Sequence, residues 1–420
     1  MRILYVAQNY QPMSASSITV HGIIKKWAEK GHNVTLLVPQ RCPEECVSNC
    51  SLGCKDDTGF AVVRVPTLVP YYVINKYRSI RSLALAISQV LLVLQGLGIC
   101  RARKFNLVVS QHHGSHFATC SAFILSRIFK LPLVVRTHDV YDTPSSVLES
   151  LYLHLLVNIY RIILKRVDYV TVVSSPLRAR LIETHKLEED RVLVFRNGVD
   201  IKNFEPGVGC GSLRRDLQLD GKKILLFTGS IIESRGLSLL VRALPGITSE
   251  DSDVVVLVVG DGPQKSDLEM LSQQLAVEGF VRFIPPVDHA EMPEYICLAD
   301  VAIGPLKARI GTFGSVPRKV LEYMACGKPV VACNGSVSRD LIIDGYNGFL
   351  TPPNDIEELA SAILRMLSNP NLVGEVGQNA RDDVEKLYNW DVIIDDFEKI
   401  LRFAVAGGRY GFGVKDKSYD

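Results

Sequence analysis

Short apolar runs rich in β-branched residues alternate along this chain with segments in which apolar positions recur every three or four residues. In the first half, the runs predict strands at 3–7, 34–39, 61–65, 107–110, 133–137 and 169–174. In the second half, they predict strands at 223–228, 254–260, 281–284, 301–304 and 329–332. Helical patterns between the strands include 18–30, 115–129, 236–244, 264–277, 292–297, 317–326 and 356–367. This alternation, with nearly continuous apolar strands, indicates parallel sheets covered on both faces.

Because the alternation occurs twice, it predicts an α/β protein of two doubly wound, Rossmann-like domains that face each other across a cleft. Periodicity weakens over 197–221, and we place the domains at 1–200 and 201–385. We expect a helix at 386–406 to pack back on the first domain and a flexible tail at 407–420. A length of 420 residues agrees with more than one domain.

The stretch 316–331, V-P-R-K-V-L-E-Y-M-A-C-G-K-P-V-V, carries the most chemical information. Pro317 suits a first helical turn, because it lacks only an N–H group that would be unpaired there. Arg318 and Lys319 lie in that turn, where the helix dipole already favours anions. The stretch predicts a diphosphate site at a helix N-terminus, with Glu322 one turn further as an acceptor for a sugar diol. The alternative is a surface helix with a Lys–Glu pair.

Composition narrows the class of protein. A net charge of +2, without a basic stripe of interleaved aromatics, argues against a nucleic-acid binder. The opening M-R-I-L-Y-V-A enters a strand directly, without the pattern of a signal peptide, so we expect a cytoplasmic location. The ten cysteines are then expected to be thiols or metal ligands rather than disulfides.

Motifs of one known family follow in order over nearly the whole chain. They are Y-x-P with A-S-S at 10–17, G-H-N-V-T at 31–35, T-H-D at 137–139, N-G-V-D with F-x-P at 197–206, F-T-G-S with R-G at 227–236, V-G-D-G-P at 259–263, R-F-I-P-P-V at 282–287, A-D-V at 299–301, the stretch at 316–331, and D-G-Y-N-G-F-L at 344–350. In order and spacing the chain resembles the GT-B glycosyltransferases of glycosyltransferase family 4. The resemblance implies transfer of a sugar from a UDP- or GDP-linked donor held by the second domain.

The resemblance also implies roles for residues of the second domain. Glu322 matches the carboxylate that binds the ribose hydroxyls. Arg235 and Lys319 match positions that bind the diphosphate, and main-chain N–H groups around Ser315 and Val316 are expected to complete the anion site.

In the first domain, His138 matches the family's active-site histidine near the reacting sugar; the alternative is a histidine that caps the strand end. Ala15 and Ser16 match the first loop, on the acceptor side. Two donor-site positions depart from the common pattern. Gly314 replaces a glutamate that contacts the donor sugar, and Ser230 replaces an arginine of the phosphate loop. These departures leave the donor sugar unassigned.

The family implies a retaining, hexosyltransferase-type reaction in which the leaving diphosphate takes the acceptor proton, so that no metal cofactor is required. The expected acceptor is a glycan or a lipid-linked molecule in cell-surface polysaccharide or glycoconjugate synthesis. Two alternatives stay open. One is a sugar-nucleotide epimerase of GT-B fold, which should carry more acid/base groups than His138 and Asp139. The other is a non-catalytic member that binds nucleotide sugar or scaffolds a membrane assembly.

The most apolar segment is 82–100, S-L-A-L-A-I-S-Q-V-L-L-V-L-Q-G-L-G-I-C, with Arg81 before it and Arg101 after it. As a helix it would be about 28 Å long. Three interpretations stay open: a buried or partly buried helix of the first domain, a helix on a membrane surface, or a membrane span. A membrane-surface helix would fit a lipid-linked acceptor and a peripheral protein on the cytoplasmic face of the membrane.

Cys42, Cys46, Cys50 and Cys54 form a C-x3-C-x3-C-x3-C cluster that is not part of the family pattern. Four thiolates at this spacing could hold a structural zinc ion or an iron–sulfur cluster. The alternative is a flexible insertion with free thiols.

Overall fold

The computed structural model describes residues 1–8, 10, 15–39, 60–65, 78–112, 117–138, 157–307 and 317–408. These residues form two compact units. Unit 1 contains Met1–Arg196 and the chain from Ile393 onward, and unit 2 contains Asn197–Ile310 and Val316–Val392. The first boundary therefore follows Arg196, where the sequence places it after residue 200.

Unit 1 is built on one parallel sheet. Its strands are β1 (Arg2–Ala7), β2 (Asn33–Pro39), β3 (Ala61–Val65), β4 (Leu107–His112), β5 (Leu133–Thr137), β6 (Tyr169–Val172) and β7 (Val192–Val194). Their order in the sheet is β3-β2-β1-β4-β5-β6-β7. Its helices before the boundary are α1 (Ala15–Glu29), α2 (Arg78–Ala102), α3 (Phe117–Phe129), α4 (described over 157–164) and α5 (Ser175–His185).

Right-handed crossovers distribute these helices over both faces of the sheet. The chain moves from β1 to β2 in one direction and from β3 through β4 to β7 in the other, so α1 lies on one face and α2–α5 on the other. Alternate side chains of β1 follow this division. Leu4 and Val6 join the core formed with α2–α5, whereas the Tyr5 ring lies 6.1 Å from the Trp27 ring of α1.

Unit 2 repeats the plan with six parallel strands. They are β8 (Lys223–Thr228), β9 (Val254–Val259), β10 (Val281–Ile284), β11 (Val301–Ile303), β12 (Val330–Cys333) and β13 (Phe349–Thr351), in the order β10-β9-β8-β11-β12-β13. The remaining helices are α6 (Gly211–Asp216), α7 (Leu237–Glu250), α8 (Lys265–Gln274), α9 (Met292–Cys297), α10 (Arg318–Ala325), α11 (Ser336–Arg339), α12 (Ile356–Leu367), α13 (Pro370–Leu387) and α14 (Trp390–Ala406).

Helix α14 carries the chain back to unit 1. The ring of Phe397 lies 5.2 Å from that of Trp27 and 4.0 Å from that of Phe195. Lys30 also pairs with Asp395 at the end of α1. These contacts cover the face of the sheet that carries α1, and from residue 409 onward the predicted tail lies outside the described residues.

The parallel strands expected from the sequence are confirmed, with two additions. β7 and β13 were not predicted, because each has three residues, too few for a recognisable pattern. β6 ends before its predicted limit because Ser174 is the N-cap of α5, where its side chain accepts a hydrogen bond from the Leu177 N–H group at 3.4 Å.

The apolar segment 82–100 lies within α2, which is a partly buried helix of unit 1. A Cβ atom at Gly96 would lie 2.5 Å from a methyl group of Leu125, so α2 packs closely on α3 there. Val90 and Leu94, away from this contact, are exposed. Within the described ranges, no helix is long and apolar enough to cross a membrane.

Two loops meet at the carboxyl ends of β8 and β9, and only glycine fits at their contact. Gly260 has a φ of +147°, and a Cβ atom there would lie 2.1 Å from the carbonyl oxygen of Gly229. A Cβ atom at Gly262 would lie 2.2 Å from the carbonyl oxygen of Ile231. The V-G-D-G-P motif therefore holds the loop that follows β8.

We expect Gly260→Ala to destabilise the protein by about 2–5 kcal/mol, because it adds backbone strain to a clash. The measurement is urea unfolding of the full chain. The control is Gly246→Ala in α7, where nothing lies within 4 Å of the new methyl group; it should stabilise by roughly 0.5–1 kcal/mol. Equal free energies of unfolding for the two variants would show that the close contact between Gly260 and Gly229 does not limit the side chain at position 260.

Candidate functional site

One tyrosine ties the carboxyl end of β8 to α10. The Tyr323 hydroxyl accepts a hydrogen bond from the Thr228 N–H group at 2.8 Å and lies 2.9 Å from the Thr228 hydroxyl. Residues 320–325 of α10 are all buried, so the surface-helix alternative is wrong. The first turn of α10 therefore lies beside the loop after β8, at the edge of the sheet where open α/β folds bind ligands.

Lys319 projects from that first turn onto the end of β8. Its ammonium group donates to the Thr228 carbonyl oxygen at 3.1 Å and lies 3.3 Å from the centre of the Phe227 ring. Burial, and then the positive charge of Arg235, hold the pKa of Lys319 well below the ordinary 10.5, against the opposing charge of Glu322. A second cation thus acts on Lys319 at this edge.

Arg235 is placed by a tight turn between β8 and α7. It ends the turn Glu233–Arg235, and Gly236 follows with a φ of 77°. A Cβ atom at Gly236 would lie 2.9 Å from the Lys307 nitrogen, so this turn packs against the loop after β11. The Arg235 carbonyl oxygen accepts a hydrogen bond from Leu306 N–H at 3.0 Å. The fold therefore brings together the two cations that the sequence analysis assigned to a diphosphate.

Glu322 is buried in α10 and held by two donors. Its Oε1 atom accepts hydrogen bonds from His289 Nε2 and from Arg318 Nε, each at 2.9 Å. Burial alone would raise the pKa of Glu322, but the charge of Arg318 and the hydrogen bond from His289 outweigh it and lower the pKa. The carboxylate is therefore charged and oriented.

Two features of this arrangement differ from the sequence analysis. Arg318 was expected to face the diphosphate beside Lys319, whereas its guanidinium group pairs with Glu322. The sequence did contain an indication of this pair, because residues four apart on a helix, such as Arg318 and Glu322, are neighbours. His289 was missed, because it lies on the loop after β10 and only the fold brings it to Glu322. The His289 ring also lies 5.2 Å from the Phe204 ring.

The remaining donor-site positions are only partly described. Ser230 is exposed and follows Gly229, which has a φ of +105°. Gly314, Ser315 and Val316 lie outside the described residues. Their assignment to the anion site therefore stays a prediction.

On unit 1, His138 lies directly after β5 and is buried. The guanidinium group of Arg136 donates to His138 Nε2 at 2.6 Å. Because a guanidinium has only donors, Nε2 must be the acceptor, and the imidazole is neutral with its proton on Nδ1. Ala15 and Ser16 begin α1.

The described part of the chain contains no group of three or more His, Cys, Asp or Glu side chains that could hold a metal ion. The cluster of Cys42, Cys46, Cys50 and Cys54 lies outside the described residues, so its structural metal stays a prediction.

We expect Arg318→Met to cost about 2–4 kcal/mol of stability at neutral pH, because it leaves the buried Glu322 carboxylate without its main counter-charge. In the wild type, ionised Glu322 stabilises the fold above the unfolded pKa near 4.5, and this contribution is lost as the pH falls through the lower folded pKa. In the variant, burial should raise the pKa of Glu322. The carboxyl group should then be neutral in mild acid, and the loss of stability caused by Arg318→Met should be smaller there.

Urea unfolding at pH 7 and in mild acid measures this difference. The double variant Arg318→Met/Glu322→Gln is the control, and it should recover most of the stability at pH 7. A cost that is the same at both pH values would show that Arg318 acts through packing instead of charge.

Family models match both halves of the chain. The family model described as Glycosyltransferase Family 4 matches residues 16–203, and the model described as Glycosyl transferases group 1 matches residues 212–383. Among solved structures, Anabaena HepE in complex with UDP superposes with a TM-score of 0.75 at 19% identity, over 96% of this chain and all of that chain. HepE with UDP-glucose gives a TM-score of 0.74.

Curated relatives are of the same kind. An uncharacterized glycosyltransferase of Methanocaldococcus jannaschii is 25% identical over 96% of this chain and 99% of its own length. A second one from that organism is 26% identical over 57% of this chain, and the match spans 60% of its length. Alpha-D-kanosaminyltransferase of Streptomyces kanamyceticus is 26% identical over 69% of this chain and 75% of its own. This chain therefore belongs to the family 4 glycosyltransferases, with their GT-B fold.

Proposed function

We propose that this protein is a retaining glycosyltransferase that moves a hexose from a nucleoside diphosphate sugar to an acceptor hydroxyl. The observation that carries the proposal is the placement of Lys319 and Arg235 at one edge of the unit 2 sheet. Two cations disfavour each other at a partly buried site, and a bound dianion turns that repulsion into attraction. A diphosphate is an anion that fits both this cation pair and the reaction of the family.

In the proposed reaction, the bond between the anomeric carbon and the diphosphate oxygen breaks, and negative charge develops on the leaving group. Arg235 can hold two phosphate oxygens at once, whereas Lys319 acts as a point charge. The acceptor oxygen forms the new bond to the anomeric carbon, and its proton passes to the leaving diphosphate. We infer that these two cations take the place of a metal cofactor, and a chelator should leave turnover unchanged.

Glu322 is assigned to the ribose. Both hydrogen bonds to its carboxylate end on Oε1, so Oε2 is the oxygen we assign to the ribose hydroxyls. His289 and Arg318 then orient the carboxylate and keep it ionised, which strengthens the hydrogen bonds it accepts. Ser230, exposed beside the same edge, is a further donor for a phosphate oxygen.

For the donor we infer a UDP- or GDP-linked hexose; HepE, whose structures contain UDP and UDP-glucose, supports this class. For the acceptor we infer a glycan or a lipid-linked molecule of cell-surface polysaccharide or glycoconjugate synthesis, reached from the cytoplasmic face of the membrane. A sugar-nucleotide epimerase and a non-catalytic nucleotide-sugar binder are the alternatives, the second motivated by Gly314 and Ser230.

The test is incubation of the full chain with a panel of UDP- and GDP-sugars, with and without candidate acceptors. Release of nucleoside diphosphate with a glycosylated product supports the proposal, and NMR of the product gives its anomeric configuration. A new sugar nucleotide would identify an epimerase. Binding in calorimetry without any turnover would identify a non-catalytic member.

We expect Arg235→Ala to lower turnover by a factor of about 10²–10³, the range for loss of one electrostatic stabiliser of the transition state. Binding of the free nucleoside should hardly change, because the guanidinium group acts on the diphosphate. Arg242→Ala, an exposed arginine of the following helix α7, is the matched control and should behave as the wild type. Normal turnover of Arg235→Ala would remove Arg235 from the proposed mechanism.

A second prediction follows from the lowered pKa of Lys319. A bound diphosphate favours the charged amine, so binding should take up protons, and affinity should fall as the pH rises towards the ordinary lysine value of 10.5. Lys319→Arg stays charged throughout and should lose this dependence. The measurement is calorimetry of nucleoside diphosphate binding at a series of pH values for the wild type and for Lys319→Arg. Titration of the ligand affects both proteins equally, so it cancels in the comparison. Parallel curves would show that Lys319 does not contact the diphosphate.

A further inference from the structure

Helices α2, α3 and α4 expose six large aliphatic side chains on their outer side. These are Val90, Leu94, Ile124, Ile128, Ile159 and Ile162, which we call the aliphatic face. Their exposed fractions run from 37% to 61%, although side chains of this kind usually lie inside. Exposed aliphatic residues grouped in this way mark an interaction surface.

The fold places all three helices on one side of the unit 1 sheet. Right-handed crossovers from β3 to β4, β4 to β5 and β5 to β6 all run in one direction, so their helices form one layer. Leu92, Leu125 and Ile163, one from each helix, point inward into a shared core. The exposed pairs recur at three- or four-residue spacing, which keeps each pair on the outward side of its helix.

Over the described lengths of α2, α3 and α4, the charged side chains are all cations. No Asp or Glu occurs in the sequence between Asp57 and Asp139, and the described residues 157–167 add none. Exposed cations follow or end the three helices: Arg101, Arg103, Lys104, Arg127, Lys130 and Lys165. They cluster at the helix C-termini, because helices that connect parallel strands end at the same edge of the sheet. Cations therefore line the edge of the aliphatic face where its three helices end, and acidic residues begin beyond it with Asp168 and the exposed Glu183, Glu188 and Glu189.

We propose that the aliphatic face and its cationic edge dock on an anionic lipid bilayer, with the three helices lying in the headgroup region. Aliphatic side chains with cations on their border are the composition that interfacial helices share. A second copy of this chain is the alternative occupant, because a two-fold axis can place the two cationic edges at opposite ends of an interface. This inference deepens the proposed lipid-linked acceptor but does not require transfer activity.

The test is co-sedimentation of the full chain with phosphatidylcholine vesicles, with and without phosphatidylglycerol, in the absence of donor and acceptor. The wild type should bind the anionic vesicles at low salt and much less the neutral ones. Each cation contributes roughly a fivefold gain in affinity for an anionic surface. The variant Arg101→Glu/Lys104→Glu/Lys130→Glu should therefore bind at least about a hundredfold more weakly. A matched reversal in unit 2, of the exposed Lys202, Arg242 and Lys386, should have little effect.

A second pair of variants tests the aliphatic side chains. Leu94→Gln/Ile128→Gln should lower vesicle affinity by roughly tenfold per side chain, whereas Met270→Gln/Val392→Gln, exposed in unit 2, should not. Wild-type protein that never binds anionic vesicles, or face variants that bind as the wild type does, would overturn the proposal. So would a dimer that only the face variants dissociate. Nucleotide release with a soluble acceptor is assayed separately, so docking and transfer can fail independently.

Discussion

The hydrogen bonds between Tyr323 and Thr228 are the constraint on which the donor edge of unit 2 depends. A buried tyrosine hydroxyl needs hydrogen-bond partners. Here the partners are the N–H group and the hydroxyl of Thr228, the last residue of β8. Helix α10 is thereby fixed against the sheet edge at its sixth residue. In this position, Lys319 of the first turn reaches the Thr228 carbonyl oxygen at the end of β8, and Glu322, one turn further, contacts His289 on the loop after β10.

Electrostatics at this edge involves a carboxylate held by two donors and, beside it, a pair of cations. Glu322 has Arg318 and His289 on one oxygen, so its negative charge is satisfied within the protein. Lys319 faces Arg235 instead, and burial adds to their repulsion, with Glu322 as the opposing charge. A bound diphosphate would add an attraction to both cations. The asymmetry explains why we assign the diphosphate to the cation pair and the ribose to the carboxylate.

Most of the fold was accessible from the sequence, because strands buried on both faces must be almost continuously apolar. β7 and β13 escaped because they lie at sheet edges and have three residues each. The site was less accessible. Lys319, Arg235 and Glu322 could be named from motifs, but Arg318 was given to the wrong partner, since a cation in a first helical turn also suits a ligand. His289 lies 33 residues from Glu322, and such a contact leaves no local pattern.

The buried pair of Arg136 and His138 restricts the chemistry that unit 1 can supply. The Arg136 guanidinium group donates to Nε2, so this nitrogen already uses its lone pair as a hydrogen-bond acceptor. His138 is therefore poorly suited to act as a general base through Nε2. An epimerase would need strong acid/base groups to move a proton on the sugar. A retaining transferase whose leaving diphosphate takes the acceptor proton needs none, and a neutral His138 suits that reaction as a hydrogen-bonding group. The state of this one side chain thus favours transfer over epimerisation.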